Sequence, residues 1–264
     1  MFDFFEDNVI EIYEDGQTPE KKSDKFSIKD KINKHLKSKK KTKKSRWLSP
    51  SKIWQIDPSE FIHSYFVGIE ESVDFDSKMR MDFGTVAHVT IQNIMVEMGV
   101  LEPSSVEEYV IDARNGMAGL IDGRIKPAAL LAKKNNPPEE TVLLEIKTCN
   151  ERVYGSIFFP EDISEAYRAQ AEVYQRATGV NNTMFVFVNS STFAIKCLFY
   201  QYTGTFYDKI CEKADLIWRH IAARELPEYK ICTKEQWQEK IKDVDVPLRR
   251  DLIQYAKKEK EKVD

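Results

Sequence analysis

The apolar and polar positions of Val142–Thr148 follow the pattern of a buried strand that carries a glutamate and a lysine near its end. Side chains alternate faces along a strand, so Glu145 and Lys147 project to one side while Leu144 and Ile146 project to the other. We therefore expect a carboxylate and an ammonium together at a strand end. The apolar run before them favours a central strand, where a pair of exposed charges fits poorly.

A second strand pattern lies upstream and carries an acid in its middle. Glu108–Arg114 reads as a strand, Asn115-Gly116 is typical of a tight hairpin turn, and Met117–Lys126 predicts the return strand with Asp122. A buried charge without a partner is unfavourable, so Asp122 needs one. The simplest partner is a divalent cation shared with Glu145, although an aspartate followed by glycine could also form a turn.

The long segment Met79–Gly99 has helical spacing and carries His88. Asp82 is its expected N-cap, and Gly99 its expected stop. One broad apolar face is predicted on this helix, formed by Phe83, Val86, Ala87, Ile91, Ile94, Met95 and Met98. A single histidine on such a helix is usually structural, so any functional role of His88 needs support from other residues.

The remaining patterns complete an α/β arrangement. A helix is predicted over Asp162–Thr178, then strands over Thr183–Asn189 and Phe193–Tyr200, and finally a helix over Phe206–Arg224. We expect an α/β fold in which a mixed central β-sheet is flanked by helices. The acids would lie at strand ends, beside the helix that carries His88.

Charge divides the chain into three parts. Residues 1–46 are expected to form a flexible arm, acidic over 1–26 and basic without any acid over 31–46. The basic run is either a solvated linker or an arm that contacts phosphates. Residues 47–226 hold the predicted folded domain, and residues 227–264 are expected to form a charged C-terminal extension.

Length and composition are those of an ordinary globular protein. The 264 residues, 42% apolar and 31% charged, can bury one sizeable core. No apolar run reaches the length of a membrane span and no signal-peptide pattern opens the chain. Four cysteines without a C-x-x-C pair indicate free thiols in a reducing compartment. We therefore expect a cytoplasmic protein with no membrane partner.

Four short motifs occur in order along these elements. They are the G-x-x-x-H of Gly84–His88, the G-x-x-D-G of Gly119–Gly123, the E-x-K of Glu145–Lys147 and the Q-x-x-x-Y of Gln170–Tyr174. In this order they resemble the PD-(D/E)xK nuclease superfamily, specifically its RecB-type exonuclease branch, over roughly residues 80–200. The resemblance implies a restriction-endonuclease-like core and metal-dependent hydrolysis of DNA phosphodiester bonds.

The resemblance also implies roles for individual residues. Asp122 and Glu145 look like carboxylate ligands of Mg²⁺ or Mn²⁺, and the backbone carbonyl of Ile146 is a further candidate ligand. His88 resembles the imidazole ligand of this branch, which makes Mn²⁺ at least as acceptable as Mg²⁺. Lys147 is expected to orient or activate the attacking water. The expected catalytic residues are thus Asp122, Glu145 and Lys147.

DNA is the expected partner. Gln170 and Tyr174 share a helical face that borders the active site in the family, so we expect both to contact the nucleic-acid strand. Arg124 and Lys126 are candidate phosphate contacts, although basic residues are more often simply solvated. The resemblance favours an exonuclease on single strands or duplex ends, in recombination, repair or phage DNA processing.

Two features common near this family are missing from the sequence. Many RecB-type members hold an iron–sulfur cluster with four cysteines, but here no cysteine precedes Cys149 and Cys232 stands alone, so no cluster is expected. No P-loop is present, so any helicase activity would come from a partner. Three alternatives stay open: a structure-specific or restriction-type endonuclease, a non-catalytic DNA-binding protein on this fold, and acids that form only a structural ion pair.

Overall fold

The computed structural model describes residues 47–68, 74–126 and 141–260, together with Lys34. Apart from Lys34, the acidic and basic arm expected over residues 1–46 lies outside this part of the chain. Among the helices within it, none combines the length and the apolar character that crossing a membrane requires. The cytoplasmic location stays a prediction.

A four-stranded sheet forms the centre of the fold, in the order β3 (Gly123–Ile125), β4 (Val142–Cys149), β5 (Asn182–Asn189) and β6 (Ile195–Gln201). β4 and β5 are parallel, and the two outer pairings are antiparallel. A parallel pair needs a crossover connection. Two helices supply it, α4 (Glu151–Ser156) and α5 (Glu165–Thr178). The expected α/β fold with a mixed central sheet flanked by helices is confirmed.

The two faces of the sheet pack against different helices. Apolar residues of β4 and β5 form one cluster with Met95 of α3 (Phe75–Glu97). On the opposite face, Phe185 of β5 packs with the first half of α5. Because strand side chains alternate, β4 turns Glu145 and Lys147 toward α5 rather than toward α3.

A separate hairpin pairs β1 (Glu108–Asp112) with β2 (Met117–Ile121). The single return strand expected over Met117–Lys126 is wrong, because the strand is broken at Asp122. Before this residue the chain belongs to the hairpin, and after it the chain joins the central sheet as β3. At the break the chain therefore passes from the hairpin to the central sheet.

Buried Leu101 packs closely on the backbone at the break. A Cβ built on Gly123 would overlap Cδ1 of Leu101 and lie 3.5 Å from its Cγ, so only glycine allows this approach. β3 then pairs with β4 only as far as Leu144. Along this edge, the β4 backbone at Ile146 meets the side chain of Asp122 instead of a strand, while the other edge continues to pair with β5.

Helix α3 begins earlier than its pattern predicted. Asp74 is the N-cap, and its Oδ1 accepts a hydrogen bond from the Ser77 backbone N–H at 2.7 Å. The expected N-cap, Asp82, is wrong: it lies inside the helix and forms an ion pair with Lys78. The helix thus starts about two turns before the predicted position.

The broad apolar face predicted for α3 is only partly correct, because Ile91 and Met95 pack on the sheet whereas Ile94 and Met98 are exposed. Val86 is 63% exposed, and the buried side chains of the helix are those of Gln92 and Met95. A stripe at four-residue spacing, Gly84, His88 and Gln92, faces the sheet beside them. Helical periodicity predicted the helix. Which of its faces packs on the sheet depends on the close contact between α3 at Gly84 and β4 at Thr148.

Several other boundaries differ from the sequence pattern. α4 was not among the predicted elements, and the Asn150 side chain is its N-cap, accepting a hydrogen bond from the Val153 N–H at 2.9 Å. α5 begins at Glu165 rather than at Asp162, whose carboxylate instead binds backbone N–H groups of the preceding loop. β6 begins at Ile195 because Phe193 lies in a turn.

The largest apolar cluster joins the hairpin, α5 and the remaining helices, which are α1 (Pro50–Ile53), α2 (Pro58–Val67), α6 (Thr205–Ala223), α7 (Lys234–Ile241) and α8 (Arg249–Lys260). Trp237 of α7 is fully buried in this cluster, and Leu252 of α8 is buried there as well. The described part of residues 227–264 therefore packs on the core. A domain boundary at residue 226 stays a prediction.

Candidate active site

Asp122 lies at the break between β2 and β3, and only 8% of the residue is exposed. Its Oδ2 accepts a hydrogen bond from the backbone N–H of Ile146 at 2.5 Å. Its Oδ1 lies 3.2 Å from Nδ1 of His88, and its backbone carbonyl accepts from Nε2 of Gln92 at 2.9 Å. The aspartate thus ties the broken strand to both β4 and α3.

Glu145 is the centre of a second group of contacts, and only 3% of it is exposed. Its Oε1 accepts hydrogen bonds from Nζ of Lys147 at 2.5 Å and from Nε2 of Gln170 at 2.9 Å. Oε1 of Gln170 in turn lies 3.4 Å from the Lys147 ammonium, which donates to it. One amide on α5 therefore holds both charged residues of the E-x-K motif.

Tyr174 lies behind Gln170, one helical turn further along α5. Its hydroxyl accepts a hydrogen bond from Nε2 of Gln170 at 3.3 Å. Only 4% of the tyrosine is exposed. A Cβ built on Gly119 would overlap this hydroxyl and lie 3.0 Å from Cζ of the ring. The first glycine of the G-x-x-D-G motif therefore makes room for the tyrosine of the Q-x-x-x-Y motif.

Burial has the largest effect on the pKa of Glu145. Burial raises the pKa of Glu145 to about 7 against the opposing effect of the Lys147 charge. Burial alone would lower the pKa of Lys147, but the charge and hydrogen bond of Glu145 outweigh it and raise that pKa. The lysine is therefore held as an ammonium, beside a glutamate whose ionised form is disfavoured by burial.

His88 is held by Asp122. Burial tends to lower the pKa of the imidazole, but the hydrogen bond and the charge of Asp122 outweigh it, so the pKa of His88 is raised. When Nδ1–H donates to the carboxylate, Nε2 is the ring nitrogen that can meet a cation. A histidine that binds a metal through one nitrogen commonly donates the other N–H to a carboxylate in this way.

The donor set fits a divalent cation. Two buried carboxylates and a backbone carbonyl offer oxygen ligands, and an imidazole stands beside them. The described hydrogen bonds of Glu145 all involve Oε1, which leaves Oε2 for a further partner. Within residues 47–68, 74–126 and 141–260, no three His, Cys, Asp or Glu side chains already stand close enough to enclose an ion. A cation would therefore draw Asp122, Glu145 and His88 closer together.

Arg124 and Lys126 lie apart from this cluster. The guanidinium of Arg124 forms a bidentate pair with Glu108, with both N–O distances at 2.7 Å. The hydrogen bond with Glu108 raises the pKa of Arg124, and the opposing effect of burial is smaller. Lys126 is exposed at the end of β3. The structure thus brings together His88, Asp122, Glu145, Ile146, Lys147, Gln170 and Tyr174, and leaves the two basic candidates outside.

Two residues of the site were not singled out from the sequence. Gln92 is buried and holds the Asp122 carbonyl, and its position four residues after His88 on the same helical face was the available signal. The Tyr167 ring lies 4.9 Å from Nζ of Lys147 and contributes a cation–π contact. Its place one turn before Gln170 would have indicated the same face.

No family model matches the sequence, and no curated protein matches it. Among solved structures, the chain is similar to the protein SSO0001 at 12% identity and a TM-score of 0.45, over 72% of this chain and 85% of that chain. It is similar to an alkaline exonuclease, LHK-Exo from Laribacter hongkongensis, at 14% identity and a TM-score of 0.46, over 68% and 90%. The complex of LHK-Exo with dAMP gives 16% identity and a TM-score of 0.46, over 67% and 88%.

Proposed function

We propose that this protein is a divalent-metal-dependent nuclease that hydrolyses phosphodiester bonds of DNA. One observation carries the proposal: buried Asp122 binds the backbone of Ile146 inside the E-x-K strand, next to a Glu145 that Lys147 and Gln170 hold. Two buried acids beside a lysine and a histidine, with the pKa of Glu145 raised to about 7, form the kind of perturbed cluster that marks a functional site. Together with the motif order, this supports membership of the RecB-type branch of the PD-(D/E)xK superfamily and a restriction-endonuclease-like core.

Asp122 and Glu145 would hold the cation, with Nε2 of His88 and the backbone carbonyl of Ile146 as further ligands. Carboxylate and carbonyl oxygens suit Mg²⁺, and the imidazole extends the choice to Mn²⁺. The chemistry supplied by such a cation when bound is polarisation of the phosphoryl oxygen and a lowered pKa of water. An iron–sulfur cluster is not part of the proposal.

The side chains of the cluster have separate tasks. The Lys147 ammonium is held at a defined position by Glu145 and Gln170, where it can orient the attacking water and offset charge on the scissile phosphate. Asp122 keeps the His88 ring in one orientation. Because Tyr174 is buried and Gln170 bridges the two charged residues, we assign both a positioning role in place of the nucleic-acid contact expected from the motif.

The substrate we propose is DNA with a single strand or a free end, degraded exonucleolytically in recombination, repair or phage DNA processing in the cytoplasm. Exposed Lys126 is the stronger of the two candidate phosphate contacts, since Arg124 is already bound to Glu108. A helicase or recombination protein is the class of partner that would supply such ends.

End-labelled linear DNA, single- and double-stranded, tests the proposal in Mg²⁺, in Mn²⁺ and in EDTA. The unmutated protein should shorten the strands progressively in either metal and leave them intact in EDTA. Lys147→Ala and Asp122→Ala should lower the rate roughly 100-fold or more. Lys242→Ala, which removes an exposed lysine paired with Glu239, should cleave normally.

Circular DNA separates the outcomes. Resistance of circles, with shortening of linear strands, supports an exonuclease, whereas defined bands from circles would show an endonuclease. If the unmutated protein binds DNA but cleaves none of these substrates in any divalent metal, the catalytic proposal is wrong and a DNA-binding protein on this fold is the better description.

A further inference from the structure

Two phenylalanines meet at the surface near the end of β4. The rings of Phe83, on α3, and Phe193, in the turn between β5 and β6, have centroids 5.9 Å apart and planes inclined by 45°. Phe193 is 65% exposed, while Phe83 is half-buried. A large aromatic ring that remains this open in a folded chain is a candidate for a binding contact, because its burial against a partner would be favourable.

The turn holds Phe193 outward in a strained backbone conformation. Its φ is 59°, in the left-handed region that bulky residues rarely adopt. The Phe193 N–H donates to the Asn189 carbonyl at 2.8 Å, and Oδ1 of buried Asn189 accepts from the N–H of Ser191 at 2.9 Å. Glycine or asparagine would fit this position without strain. The structure thus maintains an exposed phenylalanine at a position that favours smaller residues.

Chain connections place the pair beside the proposed active site. Phe83 directly precedes Gly84, where a Cβ would lie 3.3 Å from Oγ1 of Thr148. Thr148 and Lys147 point to opposite faces of β4, so the aromatic pair lies on the α3 side of the sheet. Gly84 is one helical turn before His88 on α3, which places the pair next to the imidazole of the proposed site. On the other side, Asn189 pairs with Cys149 at the end of the parallel strands. The pair therefore lies at the carboxyl ends of β4 and β5, on the α3 side of the sheet.

We propose that Phe83 and Phe193 form a stacking platform for an unpaired base of the nucleic-acid strand bound at the proposed active site, on the side of His88. The proposal rests on the proposed nuclease function, since it names the form of the substrate. Bases inside a duplex have both faces covered by their neighbours, so a surface ring can stack only on an unpaired or terminal base. Such stacking tolerates every base, and sequence preference should be weak.

Binding can be measured separately from cleavage. The probe is a fluorescein-labelled single strand of deoxythymidine, titrated in Ca²⁺ and again in EDTA, with strand integrity checked on a gel. Phe193→Gly should weaken binding roughly tenfold, the size expected for loss of one stacked base. Phe193→Trp should restore binding, and its fluorescence should be quenched by the strand. Phe199→Ala removes a phenylalanine that is 41% exposed on β6 and should bind normally.

Two further measurements distinguish a binding role from a structural one. Because Phe193→Gly relieves the left-handed strain, its thermal midpoint should stay the same or rise while its affinity falls. A probe with abasic sites should bind the unmutated protein as weakly as the intact strand binds Phe193→Gly, since its phosphates are unchanged. Unchanged affinity in Phe193→Gly, or equal affinity for intact and abasic strands, overturns the platform.

Failure of the platform and failure of the nuclease proposal give different results. Metal-dependent cleavage together with equal binding of intact and abasic strands would remove the platform and leave the nuclease. Base-dependent binding without cleavage in any divalent metal would leave the platform and remove the nuclease. Absence of both binding and cleavage would overturn both.

Discussion

The hydroxyl of Tyr174 occupies the space that a side chain at position 119 would need. A Cβ on Gly119 would overlap that hydroxyl, and Tyr174 itself binds Gln170. The hairpin strand β2 is therefore in direct contact with the residue that supports Gln170, and through it with Glu145 and Lys147. Packing at Gly119 in the hairpin thus affects the geometry of Glu145 and Lys147 in the central sheet.

Gly119→Ala should destabilise the protein by about 1–3 kcal/mol, because the added methyl group has no room. Tyr174→Phe alone should cost about 0.5–1.5 kcal/mol for one lost hydrogen bond. In the double variant the hydroxyl that the methyl group would meet is gone. The loss of stability in the double variant should therefore be smaller than the sum of the two single losses. Urea unfolding of the four proteins measures this coupling, and strictly additive losses would contradict the contact.

Gln170→Ala should lower the cleavage rate about 10- to 100-fold, because Glu145 and Lys147 lose the amide that holds both. The effect should fall on kcat rather than on KM, since Gln170 acts through its neighbours. Single-turnover cleavage and strand binding measure the two parts. Gln201→Ala, an exposed glutamine on β6, is the control and should behave as the unmutated protein.

Buried Glu172 of α5 caps helix α6 from outside that helix. Its carboxylate accepts hydrogen bonds from the N–H groups of Phe206 at 2.9 Å and Tyr207 at 2.7 Å, and from the Tyr200 hydroxyl at 2.8 Å. Burial tends to raise the pKa of Glu172, but these hydrogen bonds and those from Thr203 outweigh it, and the pKa is lowered. The ionised form is thus the one that stabilises the fold.

Glu172→Gln should therefore lower the free energy of unfolding at pH 7 by about 1–3 kcal/mol. A lowered folded-state pKa contributes stability above the ordinary value of 4.5 and loses it as the pH falls through the folded-state value. The difference between the two proteins should accordingly shrink at acidic pH. Urea titrations across pH test this, with exposed Glu239→Gln as the control. A gap that persists in acid would contradict it.

Divalent metal should raise the thermal midpoint of the unmutated protein, because a ligand that binds only the folded state stabilises that state. At a ligand concentration 100-fold above Kd, the free energy of unfolding rises by about 2.7 kcal/mol. Asp122→Asn and Glu145→Gln should abolish the rise. His88→Ala should weaken Mn²⁺ more than Mg²⁺, since imidazole suits Mn²⁺ better. Asp215→Asn, which removes an exposed acid paired with Arg249, should keep the full response. Equal loss of both metals in His88→Ala would argue against an imidazole ligand.

Local sequence patterns determined the elements that carry the site. Alternation along Val142–Cys149 turned Glu145 and Lys147 to one side, and helical spacing placed Gln170 and Tyr174 on one face. These properties depend on residues two to four positions apart, so the chain encodes them directly. The mixed sheet flanked by helices followed from the order of such elements.

Only the tertiary structure decided the partners of each charged group. Asp122 meets the Ile146 N–H and His88 where the strand breaks, and Leu101, from another part of the chain, packs closely against Gly123 there. The buried stripe of α3 was likewise set by its approach to β4. Contacts of this kind join segments far apart in sequence, and the periodicity of one segment does not predict which other segment packs against it.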